Sequence, residues 1–503
     1  MKDFFALRGF FSALAMSLCV TSISLAQLPA TQLTSIFPPG GKPGTAVEIT
    51  IAGLDQDDAG KLIFSHPGIT AVGKMTMPTE FEKVAKPVAG AFTVTIAADV
   101  PPGVYEVRAV GRFGQSNPRV FTVSALNELI DAGANAAPDK AVDVPVGSVF
   151  SGRVDANTYD HLKVPLKAGE RVIIDCSAQR IQSRLNATMV LMNPAGKELV
   201  RAKDTIGSDP VLDFTAPAEG FYVLKVFDNV YGGGPDYFYR LSVTPSAYVD
   251  FVFPPSAPAG SNNPFTIYGR NLPGGLPADG LTIGGAALQK LVVNIQMPAD
   301  EVTKASLASS STTPVRSAWQ DGIEYRLPTP AGPANPVTVY FARGPIIVEA
   351  EPNDLPAQAQ KIALPCEYVG QFNPQRDGDW VQFDAKKGEN WFIEVASHQL
   401  GLESDPFLAL YRVTKNEKGE EVVSDITQVD DTQERQAKIG TDFDTSTDDP
   451  SFKLAIPEDG TYRLFLKDHV GSGRKNPSFV YRLMIHAAEP DFRMLAQAYA
   501  VVV

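Results

Sequence analysis

The sequence predicts an all-β chain of tandem β-sandwich domains, and three observations carry that reading. Short runs rich in β-branched and aromatic residues alternate apolar with polar side chains, as in AVEITI (46–51), FTVTI (92–96), VYEVRA (104–109) and RVFTV (119–123). That alternation is the period of a half-buried strand. Pro (40) and Gly (41) are spread evenly between the runs, where turns are needed. Long helical patterns are absent, apart from a turn or two around 125–137. At 503 residues the chain exceeds one core and suits several sandwiches of about 100 residues each.

The first 26 residues read as a secretory signal. Lys2 and Arg8 precede an apolar stretch from Gly9 to Val20, and Ser24-Leu25-Ala26 supplies small residues for cleavage after Ala26. No later stretch reaches the roughly 20 apolar residues of a spanning helix. Export to the periplasm, cell surface or medium follows, with no transmembrane segment once the signal is cleaved. The formal net charge of −13 argues against nucleic acid as a partner. Beyond the signal only Cys176 and Cys366 remain, too few for a disulfide framework. Cys176 ends the apolar run VIIDC and is expected to be a buried thiol.

The mature chain repeats itself. IFPPGGKPGTAVEITIAGLD begins at Ile36 and VFPPSAPAGSNNPFTIYGRNL at Val252; Gly44, Ile51 and Gly53 match Gly260, Ile267 and Gly269 at an offset of 216. Further on, 151–176 aligns with 369–395, pairing Gly152 with Gly370, Asp160 with Asp379 and Asp175 with Glu394. Each copy closes on Tyr-Arg-Leu, at 239–241 and 481–483. The order is therefore A–B–A–B. The second B unit is longer through an acidic insertion around 414–450, expected to be a solvated loop. Asp491-Phe492 repeats Asp250-Phe251, which suggests that a further A unit begins there.

Residues 349–487 resemble the bacterial pre-peptidase C-terminal (PPC) domain, a small sandwich found on secreted peptidases and surface proteins. The resemblance rests on Glu349-Ala350-Glu351-Pro352-Asn353-Asp354, Gly370, Asp377-Gly378-Asp379, Lys387-Gly388, Pro457 to Tyr462 and Tyr481-Arg482-Leu483. Residues 142–245 match the body but not the acidic opening, and the A units resemble immunoglobulin-like domains of the IPT/TIG kind. The expected division is a signal peptide (1–26), Ig-like (27–125), PPC-like (126–246), Ig/TIG-like (247–345) and PPC-like (346–488) sandwiches, and a tail (489–503). The resemblance implies jelly-roll-type sandwiches for the B units.

In an extended chain Glu349, Glu351 and Asn353 project to one side, and Asp354 turns away or caps a turn. Ca2+ takes six to eight oxygens, so a second segment is needed, and Asp377 and Asp379 offer one. The resemblance implies Glu349, Glu351, Asn353, Asp354, Asp377 and Asp379 as calcium ligands. The competing reading is a solvated linker. In the first B unit Thr158 stands for Asp377, and Asn127-Glu128 lie where a fuller cluster would be; no comparable site is expected there.

Catalytic signals are missing. The five histidines form no metal pair, and no Gly-x-Ser-x-Gly elbow occurs. His161 is expected at the surface. Trp380 falls on the outward phase of a strand whose Val381 and Phe383 point inward, a position from which it could stack on a sugar. The expected function is non-catalytic: a secreted or surface protein acting in adhesion, binding or envelope structure, against an extracellular protein or polysaccharide. Two further readings stay open, an accessory portion of an exported peptidase and a carbohydrate-binding protein.

Overall fold

A computed structural model describes residues 29–490 except 57, 79–82, 309–314, 432–444 and 470–475. The expected signal peptide and the Asp491-Phe492 repeat lie outside the described residues. The regular structure described is almost wholly strand, arranged as eight sheets that enclose four main hydrophobic clusters.

The two B units have the same topology. In the first, one sheet runs Asn127–Ile130, Ser148–Arg153, Phe238–Thr244, Arg171–Ser177, Val211–Thr215 across its width. In the second, the corresponding sheet runs Ile346–Val348, Cys366–Gln371, Val480–Ala487, Asn390–Ala396, Ser451–Ala455. The opposing sheets correspond equally. That of the second unit runs Gln360–Lys361, Gly378–Ala385, Gly460–Asp468, Pro406–Lys415, Glu421–Val429. Alternate residues of facing strands fill the space between: Val381, Phe383, Leu408, Leu410, Leu464 and Leu483 are all buried there. Gly152 and Gly370 are required by close approach. A Cβ at either would lie 2.3 Å from the ring of Tyr239 or Tyr481, respectively.

Several expectations are corrected. His161 is buried, not exposed, with its Nδ1 3.2 Å from the Asn135 carbonyl oxygen; the chain before the strand folds over it. The segment around 125–137 holds strand Asn127–Ile130 rather than a helical turn, and the α-helix Glu301–Ala308 lies in the second A unit instead. The acidic insertion is not all loop: Glu421–Val429 adds an edge strand against Pro406–Lys415. Both cysteines are free and buried, Cys176 in the first B core.

At each joint between an A unit and its B unit lies the arginine of the Tyr-Arg-Leu strand, alongside other contacts such as Arg119 and Val120 with Gln182 in the first half. Tyr481 and Leu483 face the core, so Arg482 points out of the sandwich, toward the second A unit. It is 1% exposed. Nε donates to Glu367 Oε1 at 2.7 Å and Nη2 to Oε2 at 2.9 Å, while Nη1 and Nη2 also donate to Gln320 Oε1 and the Phe341 carbonyl of the A unit. Ser256 of the A unit donates to the same Glu367. Burial alone would raise the Glu367 pKa, but Arg482 and these donors hold it below the usual carboxylate range. In the first half Arg240 takes the same position and pairs with Glu128 at 2.9 Å. Its guanidinium passes so close to Gly40 that a Cβ there would stand 2.9 Å from it.

A one-sided truncation of this clasp leaves Glu367 charged and buried. Arg482→Met is expected to destabilise the chain by about 3–5 kcal/mol, whereas Arg201→Met, at the exposed pair Arg201–Glu198, is expected to leave the unfolding midpoint nearly unchanged. Urea unfolding of both variants checks this.

Candidate metal centre

The acidic opening of the second B unit does not run free as a linker. After strand Ile346–Val348 it stays hydrogen-bonded to the sheet: Glu349 N–H donates to the Val369 carbonyl, and Trp380 N–H donates to the Asn353 carbonyl at 3.0 Å. These bonds pin one end of a short arch to strand Cys366–Gln371 and the other to the start of Gly378–Ala385, where Asp377 ends the preceding turn and Asp379 lies in the strand. Glu349, Glu351, Asp377 and Asp379 thereby each place one carboxylate oxygen within 4.8 Å of the others'. Asp377, Asp379 and Asn353 are buried, Asn353 completely.

All six expected residues converge here. Glu349 Oε2 accepts the Gln371 N–H at 2.9 Å, and Glu351 Oε2 accepts the Asn353 N–H at 2.9 Å. Asp377 Oδ2 accepts the Asn373 N–H at 2.9 Å. The Tyr481 hydroxyl donates to Asp379 Oδ2 at 2.8 Å. Asp354 is exposed, but its carboxyl stands beside Asp377 and helps raise that residue's pKa. Two oxygens at the centre have no donor, Asn353 Oδ1 and Asp379 Oδ1. A buried acceptor without a partner costs about 1–3 kcal/mol, more when charged, so these atoms are the ones a cation would relieve.

Electrostatics point the same way. Burial first, then Glu349 and Glu351, push Asp377 up to about 7. Burial and the neighbouring Glu349 raise Asp379 well above the normal carboxylate range, and burial raises Glu351. No basic side chain is among the groups acting on these three. Mixed carboxylate and amide oxygens are the donor set of a hard cation, and no nitrogen or sulfur ligand is present to favour zinc or copper.

The first B unit has a reduced version of this pocket, at positions the sequence comparison misplaced. Its counterpart of Glu349 is Asp131, not Glu128: Asp131 N–H donates to Ser151 as Glu349 N–H donates to Val369. Asn135 answers to Asn353 by the same logic, its carbonyl accepting the His161 N–H as that of Asn353 accepts the Trp380 N–H, and Asp160 answers to Asp379 with its own tyrosine, Tyr239, whose hydroxyl donates to it at 2.7 Å. Gly133, Ala136 and Thr158 stand at the places of Glu351, Asp354 and Asp377, so three of the carboxylates are gone. Burial, with Asp131 and Asp155 nearby, pushes Asp160 up to about 7. The usable signal was Pro138, which aligns with Pro356 and fixes the register of the whole segment.

No known protein-family profile matches this chain, and no curated protein does. Solved structures do resemble parts of it. The pre-peptidase C-terminal domain of a collagenase from Bacillus anthracis aligns at 20% identity, covering 22% of this chain and 99% of that one, with a TM-score of 0.19. A Bacteroides ovatus protein of a mixed-linkage glucan utilization locus, SGBP-B, aligns at 9% identity over 90% of this chain and 74% of its own, with a TM-score of 0.14. The N-terminal CBM22 tandem domain of Paenibacillus barcinonensis Xyn10C aligns at 8% identity over 89% and 99%, with a TM-score of 0.15.

A carboxyl whose folded pKa is raised keeps an extra proton in the native state, so its contribution is full below about pH 4 and is lost as pH rises toward 7. Asp160→Asn is expected to flatten that decline. Calorimetric unfolding of the chain and the variant between pH 4.5 and 7.5 measures it.

Proposed function

We propose that the chain is an exported, non-catalytic string of binding sandwiches whose second B unit is clasped by Ca2+. It would work through its surfaces, in adhesion or envelope structure, against an extracellular protein or polysaccharide. The observation that carries the metal reading is the convergence of four carboxylates, Glu349, Glu351, Asp377 and Asp379, with a buried oxygen that has no donor on Asp379 and another on the adjoining Asn353. Glu349, Glu351, Asn353, Asp354, Asp377 and Asp379 would hold the ion. Its role there is structural: it neutralises the cluster and ties the entering segment to the sheet.

A cleft of about 550 Å3 lies between the two B units, and two of its ionisable groups are held by hydrogen bonds within the fold. Asp209 accepts the N–H groups of Ala178, Gln179 and Arg180 as well as Arg180 Nε, and His398 Nδ1 accepts the Asp448 N–H. Neither Asp209 nor His398 is thereby poised against a nucleophile.

Calcium titration tests the metal. Millimolar CaCl2 is expected to raise the melting temperature, with about 2.7 kcal/mol of added stability at a hundredfold excess over Kd. Asp379→Asn and Glu349→Gln are expected to remove the response. A melting temperature that ignores millimolar calcium, with Asp377 ionised at pH 7.5, rejects the site.

A further inference from the structure

The outer face of the second sheet in the second B unit carries a feature unrelated to the acidic pocket. Along Pro406–Lys415, Leu408 and Leu410 point into the core and are fully buried. Ala409 lies between them and points outward, yet it is only 1% exposed. The cover comes from side chains. Trp380 stands one strand beyond Phe465, which is in register with Ala409, and their rings are 4.8 Å apart. The indole also comes within 5.4 Å of the Tyr411 ring, two strands away from its own. Strands are spaced about 4.8 Å apart. An indole that reaches across one of them lies along the sheet and presents a ring face to solvent rather than an edge.

Beside these rings runs a polar row in the same register, Gln382, Arg463 and Tyr411. Arg463 Nε donates to Gln382 Oε1 at 2.9 Å, and its two Nη groups donate to Glu421 at 2.8 and 3.1 Å. The guanidinium is thereby held in place and its charge neutralised. The face thus joins half-exposed aromatic planes to fixed, planar hydrogen-bonding groups with no net charge. Flat apolar C–H faces edged by hydroxyls are the complement of such a surface. A chain of net charge −13 repels polyanions.

We propose that this face binds a neutral polysaccharide. Trp380, Tyr411 and Phe465 stack on sugar rings, and the half-buried Gln382, held in orientation by the buried Arg463, hydrogen-bonds their hydroxyls. The first B unit gives the contrast. Its equivalent face also has clustered rings, Tyr159, Phe227 and Tyr231, but Lys225 Nζ sits 3.9 Å above the Tyr159 ring and closes it. The proposal is therefore confined to the second B unit, and it stands apart from calcium.

Affinity electrophoresis of the full chain tests it, in gels containing mixed-linkage β-glucan, xylan, galactomannan or polygalacturonate, alongside sedimentation with fibrillar collagen. At least one neutral polysaccharide is expected to retard the chain, with retardation weakened at least tenfold by Trp380→Ala or Tyr411→Ala and largely kept by Trp380→Phe. Circular dichroism checks folding; should Trp380→Ala unfold, Tyr411→Ala and Gln382→Ala decide alone. The proposal is overturned if no neutral polysaccharide retards the chain, if only polygalacturonate or collagen binds, or if the folded variants bind as the parent does. Repeating the gels in EDTA separates this face from the metal site: retardation is expected to persist.

Discussion

One central strand in each B unit holds the architecture together by facing two ways. In Val480–Ala487 the period of two sends Tyr481 and Leu483 into the core and Arg482 out of it. Tyr481 ends at the acidic pocket, where its hydroxyl is bonded to Asp379, and Arg482 ends in the neighbouring A unit, where it meets Gln320 and the Phe341 carbonyl. Core, pocket and joint are thus set by three consecutive residues. A slip of one position would put a guanidinium in the core and a phenol in the joint. Phe238–Thr244 repeats the arrangement with Tyr239 and Arg240.

The joints were duplicated along with the sandwiches, but their wiring differs. Arg240 takes its carboxylate from Glu128, on the edge strand, whereas Arg482 takes Glu367, from the strand beside its own. Apolar contacts follow the same pattern: Phe238 and Ile181 pack against Phe37 and Val104 in the first joint, and Val480 against Phe251 in the second, with Leu400 and Phe253 alongside. The position of the cation is kept while its counter-charge moves. A buried guanidinium needs some carboxylate nearby, not one particular strand to supply it.

Fold class was legible in the sequence because alternation and turn chemistry are local. Val381 and Phe383 point inward and Trp380 outward as the period requires. The residues of the acidic pocket were legible as a group, since a dense run of side-chain oxygens next to proline survives in one dimension. What was not legible depended on long-range closure. His161 reads as an outward position, and it does point away from the core, but the segment bearing Asn135 folds across it. Asp131 was missed because the alignment of the two B units began inside the sandwich, after the segment that carries it. The strand Glu421–Val429 was hidden by its acidic composition, which suits an exposed edge as well as a loop.

The two acidic pockets arose from one ancestor and now differ in what can quiet them. In the first, with Asp131 and Asp160 but glycine, alanine and threonine at three donor places, a single proton is enough to settle the buried charge. In the second, four carboxylates meet around two oxygens without donors, and one proton leaves the excess in place. With three carboxylates fewer in the first pocket, the two halves of a single polypeptide carry unequal negative charge at the same place in the same fold.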